Sequence, residues 1–534
     1  MSQPFRARPV YLAASWMAPV GRYIARDRGA LSFLDMAEQC AQVFSGSPIR
    51  QRNIDAVVVG SQNPAAFSGV DNTAAKIAGI LGISGVKSVL IDTASSSGAS
   101  AFENAYLEVA SGRHDHVLAI GIQKMSDAST AEATRIIAGV IDRDEAEYGL
   151  TMPACGALVA SALKRRIGLT DIEWSAYSAL LSQRSHRFAS QNPLAHLRQQ
   201  LPIEKYFAEI ASGENYRYWS PLRYHDYCPM SDGVAAVILT SRPQEVVVAG
   251  LGSATDIPTI ADRRYFHSFP ATVIAAGYAY GMAGLHGLAQ LEGKLHVNMH
   301  DPFNGFGPIN LVDLGVVSRN RLFDALLDDT VTGPSGTFPT NLTGGLKGRG
   351  HPLGATGMIQ VVENHLMIRE RGFAAGLSHS IGGPINNNVV ILLESSSHYH
   401  QRPHEPFQPW GLPSLGTPEP KGVTIEALLA DNGRCIGNFV DATVRYHYKT
   451  GQPELILLIV SCRHQGEKYR FLFGLDGHSS GQLAGLLPGD ELLLEQSSSG
   501  VTVNRMPVQR LYKRTLQTVR HAAETGWERL RGRN

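Results

Sequence analysis

The stretch NLTGGLKGRGHPLGATGMIQVVE, residues Asn341 to Glu363, sets one histidine, His351, between Gly350 and Pro352 in a turn crowded with glycine. Directly after Gly357 the run MIQVVENHLMI carries apolar residues at helical spacing. The turn therefore feeds a helix N-terminus, where unpaired N–H groups and the helix dipole favour developing negative charge. A lone histidine is more often structural than catalytic, but this density of glycine around it reads as a functional loop.

A second turn of the same kind lies upstream. In Ile91–Ser100, IDTASSSGAS, three consecutive serines, Ser95 to Ser97, stand between the apolar run VKSVLI and the helical pattern AFENAYLEVASG. Around these two turns short β-branched runs alternate with alanine-rich helical patterns: IDAVVVG, VKSVLID and HVLAIGI in the first part, EVVVAGLG and NNVVILLES in the second. That grammar predicts an α/β layered core with a buried sheet, built as two similar halves over residues 1–245 and 246–396. The first half includes an irregular insertion or lid at about 126–230. Residues 397–422, rich in proline and polar side chains, read as a linker. The runs GNFVDATVRYHY, ELILLIVSCR, EKYRFLFGL and DELLLEQS predict a small OB-like β-barrel over 423–504, and 505–534 reads as a basic helical tail.

Composition limits the function. Of 534 residues, 43% are hydrophobic and 18% charged, with a formal net charge of +1, which argues against disorder and against a chain-wide nucleic-acid-binding field. The five cysteines, at positions 40, 155, 228, 435 and 462, form no CxxC pair and no metal-ligand spacing, so no metal is expected. There is neither a signal-like apolar N-terminal segment nor a run long enough to span a membrane, and the expected location is the cytoplasm.

The quoted stretch resembles the signature loop of the thiolases. Further ordered matches are AFENAYLEVASGRHDHVLAIGIQKMSD, PMSDGVAAVIL, HDPFNGFG and HSIGGPINNNVVIL, and residues 7–396 can be laid along the thiolase fold. The pattern is most similar to sterol-carrier-type thiolases, whose third motif reads His-Asp-Cys-Phe, and the extra C-terminal domain resembles that of type 1 thiolase-like proteins. The resemblance implies a nucleophile at Ser95, where the family has cysteine. It puts the second cysteine, the acid/base, at Ser380 or at Pro302; neither position holds a thiol. It implies one oxyanion site from His300 and His351 and another from the main-chain N–H groups of Ser95 and Gly382, with Gly350, Gly383 and Phe303 near substrate. Preorganised donors of this kind typically contribute about 10²–10³ in rate each. A coenzyme A thioester is then the substrate or ligand, no cofactor is permanently bound, and a homodimer is the expected assembly.

A serine hydroxyl titrates near water, about 15.7, against about 8.5 for cysteine, a gap of roughly 10 kcal/mol, of which a helix N-terminus recovers at most about 2. Ser95 thus needs a base, and His351 is the candidate. The three serines equally read as helix caps, Ser380 as turn filler, His300 and His379 as core histidines, and Asp232 as local turn structure. The leading function is an acyl-CoA acyltransferase of acetyl-CoA acetyltransferase type with weak classical thiolysis. An aldol or retro-aldol reaction on a β-hydroxyacyl-CoA, needing no nucleophile, is the second, and a non-catalytic CoA-ester-binding scaffold the third. Nucleic-acid binding by the barrel, through Tyr446, Tyr448, Tyr469 and Phe471, is not favoured.

Overall fold

In the computed structural model, residues 8–263, 265–401, 428–429, 434–464, 467–483, 485–497 and 500–505 are described. The basic tail, and the linker beyond Gln401, lie outside them. Nine strands form one mixed sheet: β1 (Tyr11–Met17), β2 (Ala56–Gly60), β3 (Lys87–Ile91), β4 (His116–Gln123), β5 (Gly233–Thr240), β6 (Val246–Thr255), β7 (Leu295–Asn298), β8 (Ala375–Gly382) and β9 (Asn387–Ser395). Their order is β3-β2-β4-β5-β1-β6-β9-β8-β7. From β1 outward the pairing runs antiparallel to β5, antiparallel to β4, then parallel to β2. From β6 it runs antiparallel to β9, antiparallel to β8, then parallel to β7. One scheme is therefore used twice, and β3 extends the first copy only.

The helices Ser97–Ala110 and Thr356–Arg371 lead into β4 and β8, equivalent strands of the two copies. They lie together against one face of the sheet, where Ala99, Phe102, Met358 and Val361 share a core with Val58, Ala119, Val237 and Ile391. The opposite face of the first copy, including Val57, Val59, Leu118 and Ile120, is covered by Met36, Ala37 and Ile77. Strands covered on both faces need no polar alternation, which explains the continuous runs in β2 and β4.

The C-terminal strands β10 (Arg434–Tyr446), β11 (Pro453–His464), β12 (Glu467–Asp476), β13 (Glu491–Ser497) and β14 (Gly500–Arg505) form an antiparallel sheet in the order β12-β11-β10-β13-β14. Among the described residues no ladder joins β12 to β14, so the expected closed barrel is replaced by an open sheet. The reason lies in β11. Its Leu457 and Ile459 belong to the core that holds Leu158 and Trp219, whereas its Ile456, Leu458 and Val460 pack with Phe473, Leu492 and Leu494. Both faces of the sheet are buried, one of them against the α/β core, and closure is not required to cover apolar surface.

Candidate active site

The two central helices begin at one place. Ala94, in the turn after β3, has φ 57°, a left-handed conformation that costs an alanine about 1–2 kcal/mol; its amide donates to Asp92 Oδ1 at 2.9 Å. The strained turn separates the three serines. The Ser96 hydroxyl donates to the Thr93 carbonyl at 2.8 Å, and that of Ser97 to the Ala94 carbonyl at 2.6 Å while accepting from the Thr93 amide at 3.0 Å. Both brace the turn, and Ser96, at the N-cap position, makes no side-chain cap bond. Ser95 has no such bond and lines a cavity of about 500 Å³.

His300 and His351 line the same cavity, their rings edge to face with centroids 5.0 Å apart. His351 Nδ1 pairs with the Thr356 hydroxyl at 2.8 Å, and its amide donates to Ser231 Oγ at 3.2 Å. Where the Thr356 hydroxyl donates, the proton of the ring sits on Nε2. His300 is held by its carbonyl, which accepts from Asn310 Nδ2 at 2.5 Å, and its Nδ1 is buried without a partner. Burial, with Arg349 nearby, pushes His351 down to about 3, and burial drives His300 well below its ordinary value. Both rings are neutral at pH 7.

Phe303 and Gly383 also stand on the cavity wall. Ser380 does not. Side chains of a strand alternate, so its neighbour Ile381 faces the cavity while Ser380 is fully buried with an unpartnered hydroxyl. Gly382 is packed on the serine turn: a Cβ there would lie 2.0 Å from the Thr93 carbonyl oxygen and 2.4 Å from Ser96 Oγ. Gly350, at φ 112°, packs on Val20 and Ser231 and is not part of the wall. Asp232 is structural, accepting from the amides of Tyr23, Met125 and Ser126.

Much of the wall comes from the segment that sequence pattern described least. Tyr216, Tyr218, Tyr224 and Tyr227 make it aromatic, and among the described residues no acidic side chain, lysine or arginine lines it. Two imidazoles and a thiol on the wall were also not anticipated: His186, His225 and Cys228. His225 Nε2 is tied to Glu209. His186 Nδ1 bonds the Gln199 carbonyl at 2.9 Å, and burial pushes this ring down to about 4. A thiol thus reaches the cavity although neither position implied by the resemblance carries one. Among the described residues no three His, Cys, Asp or Glu side chains converge as a metal site.

Residues 10–196 match the family model for the thiolase N-terminal domain, and residues 252–395 that for the thiolase C-terminal domain-like region. The chain belongs to the thiolase family. It is 32% identical over 382 residues to the acetyl-CoA acetyltransferase of Methanothermobacter thermautotrophicus, covering 68% of this chain and 94% of that one. It is 26% identical to sterol carrier protein 2 of Bos taurus over 59% of this chain and 60% of that protein. Among solved structures, a monomeric SCP2-thiolase like protein type 1 from Mycobacterium smegmatis superposes with TM-score 0.66 at 18% identity, over 95% of this chain and 100% of that one. A chain of an Ltp2-ChsH2(DUF35) aldolase gives 0.57 at 17% identity, over 73% of this chain and 99% of that one. At these identities the likeness is one of fold, and the first of the two extends it over the C-terminal sheet.

Proposed function

We propose that this thiolase-family chain binds acyl-CoA thioesters with the acyl group in the aromatic cavity and transfers that group through Ser95. His300 and His351 are the donors to the thioester oxygen. The observation that carries this reading is the separation of the serines: Ser96 and Ser97 are spent on the turn, and Ser95 is left unbonded on a wall shared with both imidazoles. The name of the archaeal relative, acetyl-CoA acetyltransferase, supports the same class. The imidazoles favour the donor role. A ring that burial keeps neutral retains an N–H for an oxyanion, while accepting the Ser95 proton is the harder task, so classical thiolysis is expected to be slow.

The same weak basicity favours a second reading, a retro-aldol or aldol reaction on a β-hydroxyacyl-CoA, in which the enolate is stabilised and no covalent bond to Ser95 forms. That one structural neighbour is an Ltp2-ChsH2(DUF35) aldolase is in keeping with it. Intact-mass spectrometry after incubation with acetyl-CoA and hexanoyl-CoA separates the readings. An acyl adduct present in the wild type and absent in Ser95→Ala is the expected result. Free CoA and a carbonyl product from a β-hydroxyacyl-CoA, without adduct, would replace it by the second reading, and silence with retained CoA binding would leave a scaffold.

We further infer a homodimer through the edge of β3, whose Leu90 is exposed, although the mycobacterial structural neighbour is monomeric. Light scattering against the 57.7 kDa chain mass decides. A cytoplasmic location is proposed with it, supported by five cysteines that are all free; among the described residues no helix is long and apolar enough to cross a membrane.

A further inference from the structure

Carbon–carbon bond chemistry on an acyl-CoA, by acyl transfer or by retro-aldol cleavage, needs a group that gives a proton to the α-carbon or takes one from it. Ser380 is buried off the cavity, so it is not that group. Among the described residues no carboxylate or lysine lines the wall. His300 and His351 face the thioester oxygen, His225 is tied to Glu209, and His186 to a carbonyl. Burial raises the Tyr227 phenol well above its ordinary value. Of the proton-bearing groups left on the wall, the phenols of Tyr216, Tyr218 and Tyr224, the hydroxyls of Thr130 and Thr134 and the thiol of Cys228, the thiol is intrinsically the most acidic, and Cys228 is partly exposed there.

Its placement is built. The segment that carries it runs antiparallel to the loop after His300: Tyr227 bridges Phe303, the Cys228 amide donates to the Pro302 carbonyl at 2.8 Å, and the Asn304 amide donates to the Asp226 carbonyl at 3.0 Å. Asp226 anchors the segment, accepting from the Tyr206 hydroxyl and from Asn304 Nδ2, both at 2.9 Å. Cys228 is therefore the immediate neighbour of Pro302, two residues along from His300, whose Nδ1 is buried without a partner. The sulfur comes to the site from an adjacent segment.

We infer that the Cys228 thiol is the catalytic acid/base that exchanges a proton with the α-carbon of the bound acyl-CoA. The inference rests on the acyl-CoA reading and holds for both of its reactions. In cleavage, the bond between the α- and β-carbons breaks and its electron pair passes to the thioester as an enolate; the S–H proton goes to the α-carbon, leaving a thiolate. In the acyl-transfer reaction Ser95 Oγ first adds to the β-carbonyl carbon, its proton passing to His351; the thiolate later recovers a proton from the thiol of the incoming CoA, whose sulfur takes the acyl group from Ser95, and Ser95 regains its proton from His351. In the retro-aldol it recovers the proton lost by the β-hydroxyl. Burial pushes the thiol up to about 12, with Lys347 pulling against it and Asp301 adding to it, so the resting group carries its proton and takes one from the α-carbon through the small fraction present as thiolate.

The test is hydrogen exchange at the α-carbon of acetyl-CoA and hexanoyl-CoA in D₂O, read by mass spectrometry, which needs no second substrate. The wild type should incorporate deuterium. Cys228→Ala and the near-isosteric Cys228→Ser should each lose about 10²-fold or more, the range of a positioned acid/base. Cys40→Ala, a thiol buried far from the cavity in another core, should exchange as the wild type does. Exchange by Cys228→Ser within about threefold of the wild type, or no exchange by the wild type on either probe, overturns the role. The acyl adduct at Ser95 is measured separately. Exchange without adduct would overturn the covalent reading and keep the thiol, whereas adduct with exchange untouched in Cys228→Ser would do the reverse.

Discussion

Ser95 and Ser96 carry the same hydroxyl and differ by one step along the turn, yet one is consumed by the Thr93 carbonyl and the other is free on the cavity wall. The free position makes substitution there informative. In Ser95→Cys the attacking atom is a thiol, which ionises far more readily than a hydroxyl, so the ionisation that the weakly basic His351 cannot supply is less demanding. Acylation by acetyl-CoA should become at least about 10²-fold faster than in the wild type by intact-mass time course. A variant acylating no faster would mean that the two imidazoles are not presented to the thioester. His351 stood out in the sequence because a glycine-rich turn before a helix displays it, whereas Ser95 and His300 came only from the resemblance; all three line the cavity. Ser380 was misread for a reason of parity, since a shift of one residue along β8 decides between cavity and interior. Cys228 was not legible at all, because its neighbour Pro302 is distant in the chain and the pairing of the two segments exists only in the fold.

At the scale of elements, Ser95 and His351 line one cavity because the helices they precede are in direct contact. Gly357 faces Ala99 so closely that a Cβ would lie 2.6 Å from both the Ala99 amide nitrogen and its Cβ, and one on Gly98 would lie 2.7 Å from the Gly354 carbonyl oxygen. Neither neighbour is a flexible side-chain end that can swing aside. Gly357→Ala must therefore part the helices. The helix-propensity gain of about 1 kcal/mol offsets only some of the overpacking cost, and a net loss of about 1–2 kcal/mol is expected in denaturant unfolding. Because the separation also moves His351 from Ser95, the rate of adduct formation should fall with it. Unchanged stability and unchanged acylation together would show that the helix contact does not set the site. The helices themselves were readable from spacing, but their contact was foreshadowed only by the glycines within GHPLGATG. The open C-terminal sheet had a fainter signal: the unbroken apolar run of β11, which suits a strand buried on both faces better than one lining a small barrel.

Across the whole molecule the strongest demand of the fold is that it keeps ionisable groups neutral. Histidines 116, 186, 196, 267, 296, 300, 351, 365 and 379 are all held below their ordinary value, with burial the first cause in each. Such a group takes up a proton on unfolding in acid. Its stabilisation is complete above about pH 6.5 and is lost as the pH falls toward the folded value. Five carboxylates act in the opposite sense. Burial pushes Glu145 up to about 7 and Asp301 and Asp313 up to about 6, and it raises Glu103 and Asp441. Their contribution is full below about pH 4 and is lost as the pH rises through those values. Between pH 6.5 and about 4.5, nine histidines among the described residues pull against five carboxylates, and each unmatched proton is worth about 1.4 kcal/mol per pH unit. The histidines win, so the melting temperature measured by calorimetry should fall continuously from pH 7 to pH 5. A flat or rising melting temperature over that range would mean that the core histidines, His351 among them, are charged in the folded protein, and a charged His351 would be a strong proton donor in place of the neutral ring on which slow thiolysis was argued.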